Sequence, residues 1–154
     1  MNDNILRFLQ QQTCATICCV SEQGNPYCFS CFYAFNEEEG LLYFKSSANA
    51  HHSALMKINP VIAGTVLPDK LNKLLVKGIQ FEGIVLNTDH PLVKESLITY
   101  LKKHPMALAI PGDVWTIQIN HIKMTDSTLG FGKKIIWDRT EKAVEKVVVE
   151  LHLI

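Results

Sequence analysis

The chain has 154 residues, 47% of them hydrophobic, and fifteen Lys+Arg against fifteen Asp+Glu leave a formal charge of zero. That length fits one domain able to bury a sizeable core, and the apolar content excludes a disordered chain. The neutral balance excludes a strong electrostatic footprint for nucleic acid and a polybasic membrane anchor, and no apolar run approaches the ~18–20 residues of a membrane span.

The opening residues Met1-Asn2-Asp3-Asn4 lack the basic start of a signal peptide, so a soluble, cytoplasmic protein is expected. Asn2 to Gln12 predicts a short amphipathic helix with Ile5, Leu6, Phe8 and Leu9 apolar. Thr13 to Val20 is rich in β-formers and thiols, and a Ser21–Pro26 turn joins it to a second β-rich run, Tyr27 to Phe35. Two such runs about one turn make a hairpin. The acidic turn Asn36–Gly40 leads to a third strand, Leu41 to Lys45, completing a meander. Ser46-Ser47-Ala48-Asn49 breaks that strand, and Asn49 is a candidate N-cap for a helix from Ala50 to about Ile58. Asn59-Pro60 ends this helix, because the residue before proline avoids the α region.

Val61 to Leu67 predicts a strand, and Leu74 to Leu86 a longer one. Gly78 and Gly83 inside the latter mark bulges or bends. Asp89-His90-Pro91 opens a helix to about His104, with proline well placed in the first turn. Trp115 to Met124 alternates, with Trp115, Ile117 and Ile119 on one face and Gln118 and Asn120 on the other. Gly130-Phe131-Gly132 is a break, and Ile135 to Arg139 is a final strand. The tail 140–154 fits a helix through Val144, Val147, Val148 and Leu151, or a strand through Val147, Val149, Leu151 and Leu153. It is expected to dock on its own domain or on a partner subunit. Six or seven strands joined mostly as hairpins, with about three helices, argue for a mainly β, antiparallel barrel carrying peripheral helices.

No nucleophile elbow, zincin helix, Walker loop or dinucleotide fingerprint is present. Five cysteines fall between Cys14 and Cys31, an odd and clustered set unlike a secreted disulfide framework. Cys28 and Cys31 form a CxxC pair, but on a strand residues three apart point to opposite faces. Structural thiols are expected, and no metal site, because the nearest histidine is far along the chain. Gly130-Phe131-Gly132-Lys133-Lys134 reads either as a turn with two exposed lysines or as a fragment of a phosphate loop. Lys45-Ser46-Ser47-Ala48-Asn49-Ala50-His51-His52 is more informative. A helix start offers free N–H groups and the positive end of its dipole, the serines add donors, and Lys45, His51 and His52 add positive charge. That set suits a phosphate monoester, and equally an ordinary strand–turn–helix cap. Trp115 and Trp137 could wall a flat cofactor or fill the core.

The junction and its surroundings resemble the pyridoxamine 5′-phosphate oxidase-like, FMN-binding split barrels. The carrying residues are Tyr43-Phe44-Lys45-Ser46-Ser47, His52, Leu55 and Asn59-Pro60-Val61-Ile62-Ala63-Gly64-Thr65. The chain is similar, more closely, to the small bacterial YhbP family. There the matching pieces are Asn59 to Thr65, Gly78-Ile79-Gln80-Phe81, Thr125-Asp126, Thr128-Leu129-Gly130-Phe131-Gly132-Lys133-Lys134 and Ile136-Trp137. The resemblance implies a Greek-key split barrel and a homodimer with FMN at the subunit interface, acting in oxidoreductase-like chemistry on an unnamed small molecule. It places the phosphate near Ser46, Ser47 and the helix start, with Lys45, His51 and His52 the neighbouring candidates. The isoalloxazine would lie against strand residues of both subunits, with Val61 to Thr65 and Gln80 nearby; Ala63, Gln80, Trp115, Lys133 and Trp137 are the further candidate cofactor contacts. Pyridoxamine phosphate oxidase activity itself is not expected, because the only arginines are Arg7 and Arg139. A binding module holding haem or another ligand, or a non-catalytic structural dimer, is the alternative.

Overall fold

A computed structural model describes residues 1–139; the tail reading at 140–154 lies outside them. The described residues form seven strands and three α-helices: α1 (Asp3–Gln11), β1 (Cys14–Val20), β2 (Pro26–Asn36), β3 (Leu41–Ser46), α2 (His51–Ile58), β4 (Val61–Val66), β5 (Lys77–Val85), α3 (Ser96–Lys103), β6 (Asp113–Asp126) and β7 (Lys134–Asp138). All pairings are antiparallel, in the order β3-β2-β1-β4-β5-β6-β7, and a further β3–β6 pairing closes the first six strands into a barrel. The expected mainly β antiparallel barrel with peripheral helices is therefore what the chain builds.

β6 makes the closure feasible. One edge pairs with β5 from Ile117 to Asp126; the other is shared, Asp113–Gln118 with β3 and His121–Thr125 with β7. The fork between them is pinned by Arg139, whose guanidinium donates to the carbonyls of Ile119, Gly40 and Glu39.

The near-perfect alternation expected from Trp115 to Met124 does not keep one parity along the strand. Glu82 faces His121 while Gly83 faces Ile119, so Asn120 is an extra residue in a β-bulge. Trp115, Ile117 and Ile119 point inward before it, and Ile122 and Met124 after it, a switch of parity that a plain period-2 reading misses. Gly83 is required there: a Cβ would lie 2.4 Å from the Gln118 carbonyl oxygen.

The core follows from the same alternation. Ile17, Tyr33, Phe44, Phe81, Ile117 and Met124 meet inside the barrel, and α1 covers one end with Ile5, Phe8 and Leu9. Each such side chain taken from water contributes roughly 1.5–3 kcal/mol. α1 starts where its sequence says, with the Asn2 side chain accepting from Asn4 N–H. Leu41 to Phe44 are all buried, because one face of β3 lines the barrel and the other packs under Tyr100 of α3.

Two expectations at element ends need correction. Leu74 to Val76 are not strand: Leu75 N–H donates to Asn72 C=O in a turn, so β5 begins at Lys77. The helix expected from Asp89 to His104 is interrupted, with a 3-10 turn at Pro91–Val93 preceding α3 at Ser96 and another, Pro105–Ala109, following it. The His90 imidazole accepts from Leu92 N–H and closes that first turn tightly.

Candidate functional site

The junction after β3 is arranged differently from the sequence expectation. α2 is preceded by Ala50, not Asn49, and no side chain caps it. The Asn49 N–H instead donates to Ser47 Oγ, and the buried Ser53 hydroxyl donates to Ser47 C=O at 2.7 Å, so the loop is tied to the helix from inside. The first-turn N–H groups of α2 therefore have no capping side chain, the condition under which a helix start accepts an anion.

A cavity of about 310 Å³ is lined by Lys45, Ser46, Ser47 and His52, with Phe29, Cys31 and Tyr100 among its walls. Four of the expected phosphate residues are thus brought together. Ser46 Oγ and His52 Nε2 are hydrogen-bonded at 2.6 Å, and the imidazole stacks on Phe29 at 3.7 Å between ring centres. Burial, reinforced by neighbouring His51, holds the His52 pKa below 6.5. Lys45 reaches across to donate to Ala107 C=O at 2.7 Å, so its ammonium rests on the loop after α3. His51 is exposed and packs edge-on against Tyr27 at 4.9 Å, outside this cavity.

Ala63 and Gln80 line a second cavity of about 370 Å³ with Thr16, Cys18, Cys28, Gly64, His121 and Lys123. It lies over the outer face of β1, β2, β4 and β5, where Ala63, Thr65, Gln80 and Glu82 are exposed. Gly64 leaves no room for a side chain there, since a Cβ would meet the Phe81 ring at 2.3 Å and the Thr16 carbonyl oxygen at 2.8 Å. His121 Nδ1 is 2.6 Å from Asp138 Oδ1. Phe32, 60% exposed, and Val61, 59% exposed, extend the apolar part of this outer face.

The remaining expected cofactor contacts lie elsewhere. Trp115 lines a third cavity, of about 840 Å³, between α2 and α3, and its Nε1 is buried without a hydrogen-bond partner, as is Thr116 Oγ1. Trp137 is 7% exposed, packed in the core and covered by Arg139 at 5.5 Å. Lys133 is exposed in the turn after Gly132 and lines none of these three cavities.

The cysteines also depart from the sequence reading. Cys19 is buried as expected of a structural thiol, but Cys14 and Cys28 are exposed and Cys18 and Cys31 half-buried. Cys28 and Cys31 do face opposite ways, and burial pushes the Cys31 thiol up to about 12. Among the described residues no group of three or more His, Cys, Asp or Glu is placed to hold a metal ion. No described helix is long and apolar enough to cross a membrane.

No protein-family model matches the chain. Among solved structures, a haem-binding protein from Mycobacterium smegmatis aligns over 85% of this chain with a TM-score of 0.71 and 12% identity. This chain spans 55% of that protein's length. A FAD-binding protein from Mesorhizobium loti aligns over 82% of this chain and 95% of its own, with a TM-score of 0.63 and 18% identity. At such identities the likeness is one of fold. In sequence, a UPF0306 protein of Photorhabdus laumondii is 36% identical over 135 residues, covering 88% of this chain and 94% of the relative. With identity at that level over nearly the whole length of both proteins, the chain belongs to the UPF0306 family.

Proposed function

We propose that this protein is a homodimeric, cytoplasmic flavoprotein of the YhbP-like, pyridoxamine 5′-phosphate oxidase-like group. It would bind FMN between subunits and act in oxidoreductase-like chemistry on a small molecule. The observation that carries the reading is the uncapped start of α2 beside a cavity lined by Ser46, Ser47, His52 and Lys45. These residues fit a phosphate monoester. Ser47 can turn its hydroxyl hydrogen toward an anion, Ser46 and His52 already form a polar pair, and the N–H groups of the first helical turn complete the seat. Ala63 and Gln80 lie in the other cavity of the same chain, which suits a ligand whose two ends are held by two subunits. When bound, the flavin supplies hydride or single-electron chemistry; the chain supplies position, a dry wall and charge. Phe29 backs His52 and keeps its imidazole in place. His52, once protonated, holds the proton that balances the phosphate charge.

The test is the visible spectrum of the purified protein, followed by titration with FMN and riboflavin. A flavin band released on denaturation, and FMN bound at least tenfold tighter than riboflavin, are the expected results. Equal affinity for the two would remove the phosphate seat.

Haem binding is the second reading, favoured by His121. Asp138 occupies its Nδ1 and so fixes the ring with Nε2 left as the ligand atom, the arrangement usual for a metal-bound histidine. A Soret band lost in His121→Ala would decide for it.

A further inference from the structure

Cys18 of β1 and Cys28 of β2 stand directly opposite each other in the hairpin. No other two cysteines do: Cys14 faces Phe32, Cys19 faces Tyr27 and Cys31 faces Ala15. The ladder fixes what kind of position this is. Ser21 N–H donates to Asn25 C=O and Tyr33 N–H to Thr13 C=O, so the hydrogen-bonded pairs fall at odd positions of β1. Cys18 and Cys28 therefore form a non-hydrogen-bonded pair, in which Cα atoms lie about 4.5 Å apart and side chains lean together. That spacing is inside the ~4.4–6.8 Å that a disulfide spans. The two thiols share a hydrogen bond, with the sulfurs 2.8 Å apart.

We propose that Cys18 and Cys28 are a reversible dithiol–disulfide centre that exchanges electrons with low-molecular-weight thiol–disulfide couples. The pair lines the cavity of about 370 Å³ on the outer face, open enough for a small disulfide to enter and with Lys123 beside it. Cys28 is exposed and meets the incoming disulfide; Cys18 is half-buried behind it. The Cys28 thiolate attacks one sulfur of R–S–S–R, a Cys28–S–S–R bond forms, and RS⁻ leaves to take up the proton Cys28 gave to solvent. Cys18, losing its proton in turn, attacks Cys28 Sγ and expels the second RSH. Two protein thiols are oxidised and one disulfide is reduced to two thiols. The hydrogen bond with Cys28, with a smaller contribution from burial, pushes the Cys18 thiol up to about 11, which suits the resolving role. The chemistry requires no flavin, and a flavin held by Ala63 and Gln80 in the same cavity would compete with the incoming disulfide, so the centre belongs to the flavin-free protein.

The experiment incubates the full chain in glutathione buffers of graded oxidised-to-reduced ratio, quenches by alkylation and maps the cysteines by peptide mass spectrometry. The expected result is one intramolecular Cys18–Cys28 bridge, two hydrogens lighter, that reopens with excess reduced glutathione. Cys18→Ser should stop at a mixed disulfide of glutathione on Cys28, and Cys28→Ser should form no bridge. Cys14→Ser and Cys31→Ser should leave the bridge unchanged. Free alkylation of Cys18 and Cys28 at every ratio, a bridge to Cys14 or Cys31, or a link between Cys28 residues of two chains would each overturn the proposal.

Discussion

His52 is where the chemistry is most sharply set. Its folded-state pKa is held below 6.5 by burial and by His51, while the unfolded chain keeps the ordinary value. The stability tied to neutral His52 is therefore complete above pH 6.5 and lost as pH falls through 6.5 toward the folded value. In denaturant titrations, wild type should lose more stability than His52→Gln between pH 7.5 and pH 5.5. Equal losses would show that the imidazole is not strained by its surroundings. An anion at the α2 start reverses the preference, so FMN affinity should rise on acidification in wild type and not in His52→Ala. Ser46→Ala removes the partner of His52 Nε2 and should cost roughly 0.5–1.5 kcal/mol in chemical denaturation. The sequence showed these residues as one group because strand end, hydroxyls and helix start are contiguous. It did not show Phe29, which reaches His52 across the sheet. The CxxC spacing drew attention to Cys28 with Cys31, yet the partner of Cys28 is Cys18. The hairpin turn supplies the missing signal: residues equidistant from its centre at Gln23 must face each other, and Cys18 and Cys28 are such a pair.

Among the elements, β6 carries the most information that periodicity cannot provide. Gly83 hinted at a bulge, but which strand held the extra residue was decided by long-range pairing. Deleting Asn120 should remove the parity switch and aim Ile122 and Met124 at solvent, or force Trp115, Ile117 and Ile119 outward. The expected outcome is loss of soluble, folded protein by circular dichroism and gel filtration; a stable deletion variant would refute the bulge. Gly83→Ala is the milder change. Its methyl group would press on a backbone carbonyl that cannot rotate away, so a loss of about 1–3 kcal/mol is expected by urea unfolding. Strand number, helix number and most boundaries were legible, because apolar runs and turn residues are local signals. The break before α3 was not, since His90 turns the chain through its own side chain. The separation of Ala63 and Gln80 from the Ser46–His52 group was equally invisible, since it depends on which faces of the barrel the strands present.

At the scale of the molecule, the outer face of β1, β2, β4 and β5 bears on assembly. Ala63 is small, exposed and central in β4, with Phe32 and Val61 exposed on the same side. Wild type at micromolar concentration should scatter light as a dimer, and Ala63→Arg should scatter as a monomer with an unchanged far-ultraviolet spectrum. A wild-type monomer would remove the two-subunit cofactor site. The shared edge of β6 has a consequence of another kind, in the order of events during synthesis. β3 is complete by Ser46, but the strand that closes against it begins only at Asp113. A nascent chain thus carries an open β3 edge until Asp113 and the residues after it have been made, and contacts so distant in sequence form slowly. The barrel can close only once β6 has left the ribosome, and a chain stalled before Asp113 presents Leu41 to Ser46 as an unpaired template for aggregation.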